Sequence, residues 1–273
     1  MTPEQLLQHS DYGQLWPATQ PPLTDLPAAY ASALAVRALR QSRGERPRGY
    51  KIGFTNRRIW PIYQVFAPIW GTVWDSTLVL CDDDQASLNL AGLSQPRIEP
   101  EAVFGFKATP QPAATGATGA APGEAAQAIF DALDWVAPGF EIVQSHRPNW
   151  KFSAPDSVAD GGLHARLVVG RRTPIADLAP NAQALHALLA QARLDLCRDG
   201  QQVEQGTGAN VLDGPLLALA HFVAELRACP GAPDLMPGDV VTTGTWTDAW
   251  PVLPGQTWTA VFSAPLHALS VRF

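Results

Sequence analysis

Apolar residues recur at helical spacing at Ala29, Ala33, Val36 and Leu39, between a possible cap at Thr24 and a stop at Gly44. This predicts a helix over Asp25–Ser42 with Pro27 in its first turn. Gly49–Phe54 reads as a strand, Pro61–Trp74 as an irregular aromatic stretch, Thr77–Leu80 as a short strand and Cys81–Asp84 as a turn. Arg97–Phe106 predicts a longer strand, where Pro100 argues for an edge or a bulge because proline has no N–H to give. Glu124–Trp135 reads as a helix stopped by Gly139, followed by strands at Phe140–Val143 and Leu163–Val169. In the second half, Ala192–Cys197 and Gln201–Glu204 predict a hairpin turning on Asp199-Gly200. Pro215–Arg227 is an amphipathic helix with Asp213 near its cap. Strands follow at Asp239–Thr243, Gln256–Phe262 and Leu266–Phe273, with turns at Pro237-Gly238-Asp239 and Pro254-Gly255. Helices interspersed among short antiparallel strands point to an α+β, β-rich fold rather than a doubly wound sheet.

Composition narrows the function classes. The 273 residues are 46% hydrophobic and 16% charged, enough to bury a large core. A formal charge of −6 argues against nucleic acid as the partner. No apolar run of bilayer-spanning length stands out, and the first residues lack a basic start and an apolar signal core. Three dispersed cysteines, Cys81, Cys197 and Cys229, fit reduced thiols and a cytoplasmic location. Between Ala108 and Gly123, 15 of 16 residues are Ala, Thr, Pro or Gly, which reads as a flexible surface excursion. Nine tryptophans are many for this length. Trp60, Trp70, Trp74, Trp246 and Trp250 fall in two short stretches and serve either core packing or a pocket wall.

Acidic residues carry the candidate chemistry. Glu99 and Glu101 are two apart on a strand and share a face, which Val103 and Gly105 continue. Read alone, that face is either a solvated edge or a pair of carboxylates bridged by a hard cation such as Mg²⁺ or Mn²⁺. Glu141 is an acid in an apolar strand, either exposed or a third ligand. Lys51 has apolar neighbours and is either a surface lysine or a partly desolvated acid–base group. Asp156 and Asp160 can position such a lysine or serve turns and caps. The six histidines show no metal-binding spacing, and no phosphate loop, dinucleotide fingerprint or nucleophile elbow is present.

Four segments, in order, carry a resemblance. Gly49-Tyr-Lys-Ile-Gly-Phe-Thr-Asn, Arg97-Ile-Glu-Pro-Glu, Phe140-Glu-Ile-Val with Asn149-Trp-Lys and Asp156-Ser-Val-Ala-Asp, and Leu235–Thr245 are similar to blocks of one enzyme family. They resemble the 2-keto-4-pentenoate hydratases and 4-oxalocrotonate decarboxylases of the fumarylacetoacetate hydrolase superfamily. The resemblance implies a mixed β-roll catalytic domain, taken as residues 81–273, with a smaller N-terminal α/β lobe over residues 1–80. It implies Mg²⁺ or Mn²⁺ on Glu99, Glu101 and Glu141, and catalytic roles for Lys51, Asp160 and Asp75. Thr245 and Gly244 fall near the substrate carboxylate, and Trp70, Trp74, Trp246 and Trp250 are expected to wall an apolar tail pocket. The implied activity is hydration of a 2-hydroxy-2,4-dienoate, a small-molecule 2-oxo acid precursor, with decarboxylation or C–C hydrolysis on the same scaffold and a non-catalytic subunit as alternatives. A homo-oligomer, and association with a decarboxylase or hydratase partner, are further implications. The chain departs from the family at Ala159-Asp160-Gly161-Gly162-Leu163, where the family reads Ala-Asp-Asn-Ala-Ser, and at Asp213-Gly214-Pro215.

Overall fold

A computed structural model describes residues 1–111 and 122–273; most of the predicted surface excursion therefore lies outside the described residues. The strands are Pro47–Gly53 (β1), Ile69–Trp74 (β2), Leu78–Leu80 (β3), Gln85–Ser87 (β4), Arg97–Phe106 (β5), Leu133–Val143 (β6) and His164–Val169 (β7). They continue with Thr173–Pro174 (β8), Arg193–Arg198 (β9), Gln201–Thr207 (β10), Val240–Thr242 (β11), Trp250–Pro251 (β12), Thr257–Phe262 (β13) and Leu269–Arg272 (β14). Among the described residues, one sheet runs β2-β1-β11-β5-β6-β7-β3, with β12 beside β5 and β8 beside β6. The other runs β10-β9-β13-β14-β4. The first sheet crosses residue 80, since β1, β2 and β3 are members of it.

Alternation along the first sheet separates two interiors. Tyr50, Ile52, Ile98, Phe104, Phe140 and Val241 face the main core. There they meet the second sheet and the helices Pro122–Ala132, Ala182–Gln191 and Pro215–Ala228. The opposite face carries Val73, Val103, Ala137, Leu167, Val169 and Val240, which form a cluster of their own. Small residues let that face curl inward: a Cβ on Gly71 would lie 2.1 Å from the Gly161 carbonyl oxygen. The first strand of the sheet thus returns to the segment that leads into β7, and the sheet is a roll. The helices Pro3–Tyr12 and Leu26–Ser42 pack outside it, with Leu6, Ala29 and Val158 in a third cluster.

Several expectations are corrected by burial. The stretch over 61–74 is not irregular: Trp60–Tyr63 is a short helix and β2 is buried on both faces, which hides the alternation. Residues 133–135 belong to β6, not to the predicted helix, and β6 is buried on both faces from Val136 to Val143, which hides its alternation. Pro100 sits in an interior strand without a bulge at its position. On the side away from β6, β11 pairs at 103–105 and β12 at 97–98, and the Pro100 carbonyl accepts the Trp246 N–H in the gap between them. The missing N–H faces that gap and costs the ladder nothing. The Leu26–Ser42 helix is capped by Asp25 rather than Thr24, and the Pro215–Ala228 helix starts at Gly214 without a side-chain cap. Pro3–Tyr12, with a Thr2–Gln5 capping box, and Ala182–Gln191, capped by Asn181, are additional helices. One stretch, Gly208–Ala228, is long and apolar enough to cross a membrane by length and composition. Its side chains Leu216, Leu219, Phe222 and Leu226 are fully buried in the main core. The Asp199-Gly200 hairpin forms as expected, with positive φ at both turn residues.

Candidate active site

Glu99 and Glu141 face each other directly across β5 and β6, and Glu101 follows Glu99 on the same inward face of the roll. One oxygen from each of the three lies within 4.8 Å of the others. Thr242 and Lys51 share that face, because Lys51 on β1 pairs with Thr242 on β11, which pairs with Val103 on β5. The curl of the sheet lets Lys51 Nζ cross the interior to within 3.1 Å of Glu141 Oε2, with both side chains buried. Lys51 Nζ also donates to the Gly162 carbonyl at 2.8 Å.

The buried carboxylates are held at one oxygen and left open at the other. Glu101 Oε2 accepts from the Thr242 hydroxyl and from the Gly244 N–H at 2.7 Å, while Oε1 has no partner. Glu141 Oε1 is 2.8 Å from His164 Nδ1, leaving Oε2 turned to Lys51. Burial, then the charge of Glu141, pushes the Glu99 carboxyl up to about 7. Burial and the same neighbours push Glu101 well above the ordinary range. Burial pulls the Lys51 ammonium down, but the three glutamates outweigh it and the net shift is upward. Burial holds His164 below its usual value.

When ionised, the three glutamates carry two more negative charges than the one buried lysine offsets, and burial with this mutual repulsion is what raises Glu99 and Glu101. An all-oxygen donor set of that charge suits a hard divalent cation. The residues therefore fit such an ion on their own chemistry.

A cavity of about 220 Å³ opens beside the triad, with Lys51, Glu99, Gly244 and Thr245 on its lining. Its wall is a run of aromatic rings. Phe54 stacks on Tyr63 at 4.6 Å, Tyr63 on Phe152 at 5.5 Å, and Phe152 meets Trp150 at 6.0 Å. The Arg97 guanidinium lies over Trp150, 4.2 Å from the ring centre.

Of the residues singled out from sequence, Glu99, Glu101, Glu141, Lys51, Gly244 and Thr245 are brought together. The Thr245 hydroxyl is engaged in its own loop, donating to the Thr247 carbonyl at 3.0 Å. Seven others are placed elsewhere. Asp75 is exposed in the turn after β2 and accepts from the Arg46 and Ser76 N–H groups. Asp160 accepts from the His146 backbone and pairs with its ring, so Gly162 rather than Asp160 holds Lys51. Trp70 is buried between Tyr30 and Tyr50, and Trp246 packs edge-on against Phe262. Neither lines the 220 Å³ cavity, nor does Trp74 or Trp250. Asp156 closes a capping box with Ser153 at the start of the helix Ala154–Ala159 and pairs with Arg147.

His164, Thr242 and the Phe54–Tyr63–Phe152 wall were not anticipated. Thr242 had a signal, since it precedes Gly244 by two in the Leu235–Thr245 block. His164 follows the departure at Gly161-Gly162 and carried no spacing signal.

No protein-family profile matches the chain. It is 32% identical over 261 residues to a 2-hydroxyhexa-2,4-dienoate hydratase of Comamonas testosteroni, covering 93% of this chain and 91% of that one. It is 29% identical over 246 residues to a 4-oxalocrotonate decarboxylase of Pseudomonas sp. strain CF600, covering 90% and 84%. The solved 4-oxalocrotonate decarboxylase of Pseudomonas putida G7, complexed with magnesium and adipate, superposes with a TM-score of 0.82 at 25% identity, covering 100% and 98%. On its sequence, its roll and its relatives, the chain belongs to the 2-keto-4-pentenoate hydratase and 4-oxalocrotonate decarboxylase family of the fumarylacetoacetate hydrolase superfamily.

Proposed function

We propose that this protein is a metal-dependent hydro-lyase that adds water to a 2-hydroxy-2,4-dienoate to give a 4-hydroxy-2-oxo acid, in the breakdown of aromatic compounds. The observation that carries this reading is the convergence of Glu99, Glu101 and Glu141 beside Lys51, with Glu99 and Lys51 lining the adjoining cavity. Glu99, Glu101 and Glu141 would hold Mg²⁺ or Mn²⁺. Such an ion, when bound, supplies Lewis-acid stabilisation to the oxygen of an enolate.

The chain's own groups account for the rest. Lys51 is kept protonated by its acidic neighbours, so it acts as a proton donor and cation, not as a free base. In hydration the dienol first becomes a ketone, with a proton arriving at the far carbon of the diene; water then adds to the remaining enone. Lys51 is the buried proton carrier on the cavity lining, and Gly162 and Glu141 fix its position. The aromatic wall gives a flat conjugated chain a surface to lie on and keeps bulk water from it.

Decarboxylation is the second reading, favoured by the similarity to 4-oxalocrotonate decarboxylases. A bound ion would there supply the same stabilisation to the enolate left by departing CO₂. We place the enzyme in the cytoplasm, where its three free thiols stay reduced, as a homo-oligomer able to associate with a decarboxylase or hydratase of the same family.

The test is turnover of 2-hydroxypenta-2,4-dienoate, followed by loss of its chromophore with Mg²⁺, with Mn²⁺ and with EDTA. Metal-dependent loss of the chromophore that Glu101→Gln abolishes supports the reading. CO₂ release from 4-oxalocrotonate without hydration moves the assignment to decarboxylase. No turnover with added Mn²⁺ leaves a non-catalytic subunit.

A further inference from the structure

Glu101 and Glu141 each present one oxygen and have the other tied down. For Glu101 the ties are the Thr242 hydroxyl and the Gly244 N–H. For Glu141 the tie is His164, whose Nδ1 lies 2.8 Å from Oε1. The imidazole is fixed at its other end as well: Nε2 is 2.8 Å from Thr77 Oγ1. Thr77 is held in turn by the Trp74 N–H, which donates to its hydroxyl at 3.1 Å. A carboxylate oxygen only accepts, so Nδ1 carries the ring proton, and the Thr77 hydroxyl proton has Nε2 at 2.8 Å and the Trp74 carbonyl at 3.2 Å as its acceptors. The His164 side chain is buried, at 4% exposure, so water does not compete for either nitrogen.

We propose that His164 is a positioning residue of the cation site, which holds Glu141 Oε1 so that Oε2 is the oxygen presented to the ion. The proposal rests on the reading of the triad as a cation site. Without the tie, the Glu141 carboxylate can turn both oxygens to the Lys51 ammonium, and it must be reordered each time an ion binds. Hydrogen-bond partners of ligating side chains are typically worth 10- to 100-fold in metal affinity.

Mn²⁺ binding to the full chain, read by the electron paramagnetic resonance of the free ion, tests this without substrate. Three proteins are compared: wild type, His164→Leu, and His164→Asn, which keeps an amide N–H near the position of Nδ1. His164→Ala replaces the leucine variant if that does not fold. The expected result is binding weakened roughly 10- to 100-fold in the deletion and within about threefold of wild type in His164→Asn. Equal Mn²⁺ affinity in wild type and His164→Leu overturns the proposal and leaves the cation site standing. Equal loss in His164→Leu and His164→Asn also overturns it, since packing rather than the hydrogen bond then matters. Absence of Mn²⁺ binding in wild type overturns the cation site itself, and the proposal with it.

Discussion

Lys51 Nζ stands 3.1 Å from Glu141 Oε2, with the lysine 3% and the glutamate 0% exposed, although three strand positions of the sheet separate them. The pair exists because the sheet rolls, and it ties the proposed proton carrier to the proposed ligand set. Removing one partner of a buried pair leaves the other charge uncompensated.

Lys51→Met therefore separates chemistry from metal binding. We expect turnover to fall about 10²- to 10⁴-fold, the range for loss of a general acid–base group. Mn²⁺ affinity should hold or rise, because a cation has been removed beside the three glutamates. Steady-state kinetics together with a Mn²⁺ titration check this. Parallel loss of ion and activity would assign Lys51 to the framework of the site instead.

Gly244 links the late loop to Glu101. Its φ is +96°, and an added Cβ would lie 2.0 Å from Thr55 Oγ1. Gly244→Ala should cost about 1–3 kcal/mol in backbone strain and contact. It should also displace the N–H that holds Glu101 Oε2, and so weaken Mn²⁺ binding about tenfold. Thermal unfolding without metal and a Mn²⁺ titration measure the two effects separately. Unchanged affinity would show that Thr242 alone holds Glu101.

What the sequence reveals follows the range of the forces involved. Glu99 and Glu101 were legible because strand alternation is local, and Glu141 stood out as an acid in an apolar run. Gly161-Gly162 was visible as a departure, but its purpose was not. Gly162 supplies the carbonyl that holds Lys51, and the segment must pass against Gly71. His164, Thr77 and Trp74 form a chain of hydrogen bonds between β7 and the end of β2, a relation set by closure of the roll and by no local period. The tryptophans misled for a similar reason. Trp70 and Trp246 lie in the right segments, but their side chains turn to the core, and Trp150 with Phe152 takes the wall.

The wall itself is open to test. Phe152 lies between Tyr63 and Trp150, so Phe152→Ala removes the middle of the aromatic run. We expect KM for a six-carbon dienoate to rise roughly 5- to 30-fold, equivalent to about 1–2 kcal/mol of lost ring contact, with a smaller effect for the five-carbon homologue. A loss equal for both chain lengths would mean that the ring shapes the site without touching the tail.

Acidity should stabilise the metal-free protein. The Glu99 carboxyl is raised to about 7, chiefly by burial and then by Glu141, and Glu101 is likewise raised well above the ordinary range. An unfolded chain releases these protons in the ordinary carboxylate range, so between that range and neutrality the folded state binds more protons. Its stability then falls as pH rises through the folded value. In EDTA, Tm should be lower at pH 8 than at pH 6, and Glu99→Gln should flatten that slope. Saturating Mn²⁺ requires the carboxylates ionised and should reverse it. Calorimetry at both pH values decides, and a metal-free Tm that rises from pH 6 to pH 8 would contradict three mutually repelling acids in one desolvated shell.

Asp160 supplies the converse case, a residue that sequence placed in the chemistry and the fold places in support. Both its oxygens go to His146, one to the backbone N–H at 2.9 Å and one to the ring, while Lys51 Nζ is held by the Gly162 carbonyl and Glu141. Asp160→Asn keeps an acceptor for one of these bonds and forfeits the charge on the other. The expected cost is about 1–3 kcal/mol of stability, the usual range for a weakened buried polar pair. Turnover per folded molecule should stay within about threefold of wild type, because the bond from Lys51 to Gly162 is untouched. Chemical unfolding and steady-state turnover measured on the same preparation test both halves. Turnover reduced about 100-fold or more, with normal stability, would return Asp160 to the catalytic set. Its route to Lys51 would then run through Gly161 and Gly162.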